Sequence, residues 1–209
     1  MTRPSQNIDQ RLLDAGLQLL PKTGCRNLSV RRLAEHADVN LGMFHYHFKS
    51  KDNFIRALLL KVYEDMFAQL EITANETHSP LENLRAALQL LGRFGSSNRY
   101  LLFRLFNDAM AGEVVVTEFF SANAPRHLKV ISSLISEAQQ SGEMAIVPLP
   151  QAIAFLLGAV MSPVLLGVAV LENGAVAEHI AGPLEAGVLS EEAVNQRIDL
   201  ALRGLAPSA

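Results

Sequence analysis

Apolar side chains recur at helical spacing along almost all of the 209-residue chain. Near the N-terminus, Ile8, Leu12 and Leu19 fall on one face of a predicted helix that ends at Pro21 and Gly24. Sustained alternation of apolar and polar residues, the pattern of a β-strand, is not found. The sequence therefore predicts an all-α protein with a three-helix N-terminal head (residues 1–50) and a larger helical body (residues 51–209).

Capping residues place two short helices directly after the first one. Ser29 and Asn40 are good N-caps for helices over residues 30–37 and 41–48, and Ser50 is a good N-cap for a long helix. The two short helices are separated by a tight break at residues 38–39. The first helix and these two short helices, which are joined by a tight turn, form the head.

The body is predicted to contain several further helices whose ends are marked by proline, glycine and serine. Their predicted ranges are 81–95, 98–111, 114–121, 125–141, 150–171 and 190–205. Pro125 is predicted to separate two of these helices. The Gly- and Pro-containing connector over residues 172–190 carries no clear pattern of its own.

Charge is divided unevenly along the chain. Residues 1–60 contain nine Lys or Arg and five Asp or Glu, whereas residues 61–209 contain nine and sixteen, for a total of −3. A basic head on an acidic body indicates that one surface meets phosphate while the rest stays in solution. Cys25 is the only cysteine, so an intramolecular disulfide and a Cys-rich zinc site are excluded. The N-terminus lacks the apolar core of a secretion signal, which predicts a cytoplasmic protein.

The pair of short helices has the composition of a helix-turn-helix. Leu33 and Phe44 are expected to pack inward, and the second helix is rich in basic and aromatic residues. The side chains predicted to face outward can donate hydrogen bonds to phosphate; they are His45, Tyr46, His47, Lys49 and Lys51. The motif therefore predicts that the protein binds double-stranded DNA.

The stretch LSVRRLAEHADVNLGMFHYHFKSKDNFIRALL resembles the helix-turn-helix of the tetracycline-repressor (TetR) family. The resemblance covers residues 9–60 and depends on the Leu-Ala pair of the second helix, on Phe44-x-Tyr46-His47-Phe48 and on the Lys49-Ser50-Lys51 run. It implies a transcriptional regulator, in the family's usual mode a repressor. Such a protein binds its operator as a homodimer and leaves it when a small apolar or amphipathic effector binds the body.

The resemblance also assigns nine residues to the DNA interface. They are Ser29 and Arg31 for phosphate or a base edge, Leu41, Gly42, Met43 and His45 for the major groove, and Tyr46, His47 and Lys51 for the phosphate backbone.

Three positions depart from the family pattern. Asp38 stands where the family usually has glycine, Leu41 and Met43 stand where polar or small residues are common, and His45 replaces the usual tyrosine. The predicted reading surface is therefore poor in bidentate donors. Contacts with thymine methyl groups and the shape of the DNA are expected to supply more of the specificity.

Aromatic and polar residues of the body are candidates for an effector site, although core packing accounts equally well for most of them. The candidates are Phe94, Arg99, Phe103, Arg104, Phe106, Asn107, Met110, Phe120, His127 and Phe155. The apolar members would line a cavity, and the polar members would orient one end of a ligand.

The uncharged stretch over residues 152–171 is long enough to span a bilayer. Glu172 follows at once, and the nearest basic residues are Lys129 and Arg197, so the basic flank of a spanning helix is missing. We therefore expect no membrane partner and a homodimer through the helices near 150–171 and 190–205. The residues proposed for the second of these helices are Ala193, Ile198, Leu202 and Leu205.

Other functional classes find little support in the sequence. A nucleophile elbow, a Gly-rich phosphate loop and a paired metal-ligand motif are all missing, so neither an enzyme nor a cofactor is predicted. His45 and His47 point about 200° apart on a helix and do not chelate one ion together. Two alternatives stay open: a ligand-independent DNA-binding protein, and a protein–protein adaptor with a vestigial head.

Overall fold

The computed structural model describes residues 4–75 and 78–207, with side chains placed over 8–75, 78–174 and 179–207. The described residues form ten α-helices and one π-helical turn, without a strand among them. The helices are α1 (Pro4–Thr23), α2 (Val30–His36), α3 (Leu41–Phe48), α4 (Lys51–Ala74), α5 (Pro80–Ser97), α6 (Arg99–Met110), α7 (Val114–Gln140), α8 (Leu149–Glu172), α9 (Gly174–Leu184) and α10 (Glu191–Gly204). The prediction of an all-α chain with three helices in its head is confirmed.

The predicted caps start the head helices. The Ser29 side chain accepts a hydrogen bond from the backbone N–H of Arg32, and the Asn40 side chain accepts one from Gly42. Ser50 does the same for Asn53 at the start of α4, at 3.1 Å. Each bond satisfies a backbone N–H that has no partner within its helix, and this fixes the short helices in place.

The predicted effect of two prolines was wrong. Pro21 lies inside α1, which continues to Thr23 and ends at Gly24, a residue with φ of +70°. Pro125 lies inside α7, which runs without a break over residues predicted as two helices. Proline removes one backbone hydrogen bond from a helix interior. Pro21 lies only in the last turn of α1, whereas α7 has buried apolar residues on both sides of Pro125, among them Val116 and Ile131.

The connector before the last helix is helical. It forms α9 and a π-helical turn over Glu185–Leu189, with the Leu189 side chain buried. Two arginines hold this turn: Arg99 pairs with the Glu185 carboxylate at 3.1 Å, and Arg197 donates to the Val188 carbonyl at 2.7 Å. The ion pair joins residues 86 positions apart and leaves no local pattern, so no structure was predicted for this segment.

The chain is divided into two compact units. The first unit comprises Met1–Glu64 and Tyr100–Ala122, and the second comprises Asp65–Arg99 and Asn123–Ala209. The helices α4 and α7 contribute residues to both units.

The core of the first unit extends beyond the three head helices. Gly16 of α1 allows α4 to come close, since a Cβ at Gly16 would lie 2.6 Å from the Phe54 ring. Apolar residues of α6 and α7 complete this core; they are Leu101, Leu105, Val115 and Val116. The helix-turn-helix is thus packed against parts of the chain that are distant in sequence.

The second unit is built on α5, α8 and α10, which pack against one another. Three residues predicted to form a dimer face on the last helix instead lie in this core: Ala193, Ile198 and Leu202 are 7%, 1% and 4% exposed. That prediction was wrong because helical periodicity identifies an apolar face without identifying its partner, which here is the chain's own α5 and α8.

Candidate DNA-binding surface

The helix α3 is anchored on one face and open to solvent on the other. Phe44 is fully buried and packs against the rings of Phe48 and Phe54, with centroids 5.7 and 5.6 Å away. Tyr46 is 74% exposed and Leu41 is 41% exposed. Aromatic packing on one side therefore fixes the helix while the opposite side stays available to a partner.

The four residues predicted to face the major groove are not equally open. Leu41, Gly42 and His45 are exposed, and Met43 is half-buried. Gly42 donates its backbone N–H to the Asn40 side chain at 2.7 Å. The exposed surface at the start of α3 thus combines an aliphatic side chain, a glycine and an imidazole.

His47 does not face outward as predicted. Its side chain is only 8% exposed, and Nδ1 pairs with a carboxylate oxygen of Asp9 on α1. Position 47 comes three residues after Phe44, so it lies near the buried face of α3. The residue connects α3 to α1, and its place at a DNA surface is not supported by this geometry.

Lys51 lies at the start of α4, and its Nζ donates to the Arg26 carbonyl at 2.9 Å. The bond ties the connection between α1 and α2 to the first turn of α4. An ammonium group has three donors, so this bond leaves donors for a phosphate.

Ser29 and Arg31 lie at the start of α2. The Ser29 side chain caps the helix, and Arg31 pairs with Glu35 at 3.0 Å, with 82% of its own side chain exposed. An exposed pair of this kind is weak, so the guanidinium is free to exchange Glu35 for a phosphate.

The turn between α2 and α3 is held by a residue that the sequence analysis overlooked. Asp38 has φ of +50°, in the region where glycine is normally preferred. Arg11 of α1 donates to the backbone carbonyls of Ala37 and Asp38, at 2.7 and 2.5 Å, and to the Asp38 carboxylate at 2.9 Å. Asp38 thus adopts a backbone conformation that suits the glycine usual at this position, and Arg11 stabilises it.

A second overlooked residue, Asp108 of α6, is buried with 7% of its surface exposed. Its Oδ2 accepts the backbone N–H of Cys25 at 2.5 Å. Burial, followed by the charge of Asp108, raises the pKa of the Cys25 thiol to about 12. A sequence signal existed, since a lone acid in the apolar run of α6 needs a partner, but the sequence does not identify that partner.

The ten residues predicted for an effector site are split between the two units. Six belong to the first unit: Phe103, Arg104, Phe106, Asn107, Met110 and Phe120; the other four are Phe94, Arg99, His127 and Phe155. Phe106, Met110 and Phe155 are 48%, 75% and 48% exposed. These three side chains do not line an enclosed cavity within one chain. Burial lowers the pKa of His127, which favours the neutral imidazole.

A groove open to solvent, with a volume of about 510 Å³, lies between α4 and α7 in the second unit. Its lining is half polar: it consists of Phe67, Glu71, Ala74, Asn75, Arg126, Lys129, Val130, Ser133, Leu134 and Glu137. The Arg126 guanidinium lies 4.2 Å from the centroid of the Phe67 ring. None of the ten predicted effector residues lines this groove.

A family model described as bacterial regulatory proteins of the tetR family matches residues 12–58. Residues 12–58 therefore form a helix-turn-helix region of the TetR type. The matched stretch contains α2, α3 and most of α1, with the first turns of α4, so it coincides with the surface described above. The resemblance read from the sequence is thereby confirmed, and the chain is a helix-turn-helix transcriptional regulator.

Curated relatives of this chain are named as regulators. It is 25% identical over 157 residues to "Probable HTH-type transcriptional regulator YttP" of Bacillus subtilis, which covers 74% of the chain and 76% of the relative. It is 27% identical to the HTH-type transcriptional repressor KstR of Mycolicibacterium smegmatis, over 64% of each protein. Both names denote transcriptional regulators and not enzymes.

Solved structures show the same fold at low sequence identity. The transcriptional regulator FadR of Bacillus subtilis, in complex with stearoyl-CoA, has a TM-score of 0.72 at 17% identity and covers 94% of this chain and 98% of its own. The ketosteroid transcriptional regulator KstR2 of Mycobacterium tuberculosis has a TM-score of 0.72 at 16% identity, over 96% and 95%. The helical body as well as the head therefore has the fold seen in TetR-family structures.

Proposed function

We propose that this protein is a cytoplasmic repressor that binds operator DNA through α3 and is released by a small apolar or amphipathic effector. The observation that carries the proposal is that α3 is packed on one side and open to solvent on the other: Phe44 is fully buried, and Tyr46 is 74% exposed. In this proposal, the head (residues 1–50) makes the DNA contacts together with Lys51 at the start of α4. Residues 51–209 bind the effector and form the dimer, and the protein has no catalytic role.

The DNA contacts follow from the exposed residues. Leu41, Gly42 and His45 meet the edges of the base pairs, and Met43 contributes from a half-buried position. Tyr46 donates its hydroxyl to phosphate, with Ser29, Arg31 and Lys51 as further phosphate contacts. His47 is left out of the interface because its side chain is covered and paired with Asp9.

A homodimer is supported by an apolar surface that one chain leaves uncovered. The helix α8 is the one helix within the described residues that is long and apolar enough to cross a membrane, and only 28% of its most apolar window is buried. Phe155, Ser162 and Leu166 repeat on its exposed side at helical spacing, and Leu200 of α10 is 61% exposed. We call these four residues the α8/α10 face. Pairing two such faces covers apolar surface. A dimer also supplies two α3 helices, as recognition of two successive major grooves requires.

An effector is supported by the relatives and by the body. FadR was solved in complex with stearoyl-CoA, and KstR2 is described as a ketosteroid transcriptional regulator. The groove between α4 and α7 has a volume within the usual range of ligand sites and carries both charged and apolar side chains. It is one candidate position, and the residues predicted from sequence are another.

The DNA-binding proposal is tested by selecting genomic fragments with the purified protein and titrating the bound fragment against salt. We expect affinity to fall steeply as salt rises, because phosphate contacts release counterions. Tyr46→Phe is expected to weaken binding several-fold, whereas the matched control Tyr100→Phe on α6 leaves it unchanged. Failure to select any fragment, or equal effects of the two substitutions, would contradict the proposal.

The effector proposal is tested with the selected fragment and two probes, stearoyl-CoA and a 3-ketosteroid. We expect one of these amphipathic compounds to weaken DNA binding by at least about tenfold, the range of ordinary allosteric coupling. Binding of a probe without any change in DNA affinity would instead support the ligand-independent alternative.

A further inference from the structure

Two side chains of α6 contact the end of α1 and the turn that follows it. Asp108 accepts the Cys25 N–H at 2.5 Å, and Arg104, one turn earlier on the same face, donates to the Pro21 carbonyl at 3.3 Å. Leu101 and Leu105 of this face are 4% and 3% exposed within the same core. The contact is therefore a buried face of α6 and not a single incidental bond.

Gly24 is required by this contact for two reasons. Its φ of +70° is a conformation that residues with a side chain rarely adopt. In addition, a Cβ at position 24 would lie 2.8 Å from Oδ2 of Asp108, closer than real Cβ contacts. The glycine thus lets the backbone approach the carboxylate, and the carboxylate takes up the N–H of the next residue.

The opposite side of the same connection is held by α4. Lys51 donates to the Arg26 carbonyl, one residue after the N–H that Asp108 accepts. The peptide groups between α1 and α2 are therefore fixed by the Asp108 carboxylate of α6 and the Lys51 ammonium group of α4. Only three residues separate Arg26 from α2, so the position of α2, and of α3 packed on it, depends on this pair.

We propose that Asp108 is a positioning residue for DNA binding: by accepting the Cys25 N–H it sets the helix-turn-helix in the orientation that reads the operator. This role builds on the proposed DNA contacts of α3. Asp108 does not touch DNA, and its effect passes through the connection between α1 and α2.

The test uses the full-length protein and two measurements, amide hydrogen exchange at Cys25 without DNA and affinity for the selected DNA fragment. Asp108→Ala is expected to speed exchange at Cys25 and to weaken DNA binding, each by about 10- to 100-fold, the equivalent of one charged hydrogen bond. Asp108→Asn keeps an oxygen acceptor and is expected to restore most of both properties. Asn83→Ala is the matched control, because Asn83 on α5 is also 7% exposed and lies in the second unit.

Gly24→Ala keeps the proposal testable if Asp108→Ala does not fold. With Asp108 present, it is expected to displace the carboxylate and to weaken DNA binding at least tenfold. Wild-type affinity in Asp108→Ala or Gly24→Ala, or an equal loss in Asn83→Ala, would overturn the proposal. If the wild-type protein binds no DNA fragment, the proposed DNA contacts are contradicted. Faster exchange at Cys25 in Asp108→Ala would still support the hydrogen bond from Cys25 to Asp108.

Discussion

Arg11 illustrates how one side chain of the head supports an unfavourable backbone conformation. Its guanidinium binds two carbonyls and the carboxylate at the turn between α2 and α3, where Asp38 has a positive φ. Aspartate tolerates this region better than most residues, because its short polar side chain interacts with nearby groups. Glycine would adopt it without steric cost.

We therefore expect Asp38→Ala to lower the free energy of unfolding by about 1 kcal/mol relative to Asp38→Gly. Both substitutions remove the same carboxylate, so their difference reports the cost of a Cβ at positive φ, less the extra backbone entropy that glycine loses on folding. Urea unfolding of the two variants measures this difference. Equal stabilities would show that the turn relaxes to another conformation when the carboxylate is lost.

The thiol of Cys25 gives a prediction with a defined pH range. Its pKa is about 12 in the folded protein, against an ordinary value of 9.0, so the unfolded chain releases the thiol proton at lower pH. Stability from the protonated thiol is complete below pH 9 and is lost as pH rises toward 12. Relative to Cys25→Ala, the wild-type protein should lose up to about 1.4 kcal/mol per pH unit above pH 9. Parallel stability profiles from denaturant unfolding at pH 8 to 10.5 would contradict the raised pKa.

His47 and Tyr46 are adjacent, but their substitutions are expected to affect different properties, stability in one case and DNA binding in the other. The His47 side chain is only 8% exposed and pairs with Asp9, whereas Tyr46 is open to solvent. His47→Ala should lower the melting temperature by several degrees, because it leaves a cavity and an unpaired acid. Tyr46→Ala should leave the melting temperature unchanged and weaken DNA binding. Thermal unfolding followed by circular dichroism separates the two effects; the reverse pattern would return His47 to the DNA surface.

At the scale of elements, α7 shows how tertiary packing overrides a local signal. Pro125 removes a backbone hydrogen bond inside the helix, yet the helix continues from Val114 to Gln140. Pro125 is exposed, so its ring makes little compensating contact with the core. Pro125→Ala is expected to raise the free energy of unfolding by about 1–3 kcal/mol, measured by urea unfolding. A decrease would mean that neighbouring helices are packed against a bend that the proline creates.

Local rules predicted the elements that local chemistry controls. Ser29 and Asn40 placed the starts of α2 and α3, because a cap depends on residues two or three positions away. Pro125 misled the prediction because packing of buried residues on both sides of it keeps α7 helical. Arg11 and Asp108 were missed because their partners lie 26 or 27 and 83 residues away.

At the scale of the whole molecule, one chain leaves an apolar surface on α8 and α10. Leu166 and Leu200 are 66% and 61% exposed, and Phe155 lies beside Gly204, one turn beyond Leu200. The helix α8 carries no charge before Glu172, and only 28% of its most apolar window is buried, which supports the proposed dimer.

If the proposed dimer forms through this face, Leu166→Glu is expected to yield a monomer, because it would place two carboxylates in an apolar interface. Ile146→Glu is the matched control: Ile146 is 89% exposed, lies before α8 and is not one of the four residues of the α8/α10 face. Sedimentation velocity measures the state of each variant. A dimer in both variants, or a monomer in both, would contradict the proposed interface.

The buried thiol at the end of α1 also has a practical consequence for measuring motion. Because Cys25 is the only cysteine and is fully buried with a raised pKa, reagents that modify thiolates should leave it untouched at neutral pH. A cysteine introduced at an exposed residue of α3 would then carry a spin label or fluorophore alone. Each protomer would hold one label, and the distance between the two recognition helices of a dimer becomes measurable without first removing a native cysteine.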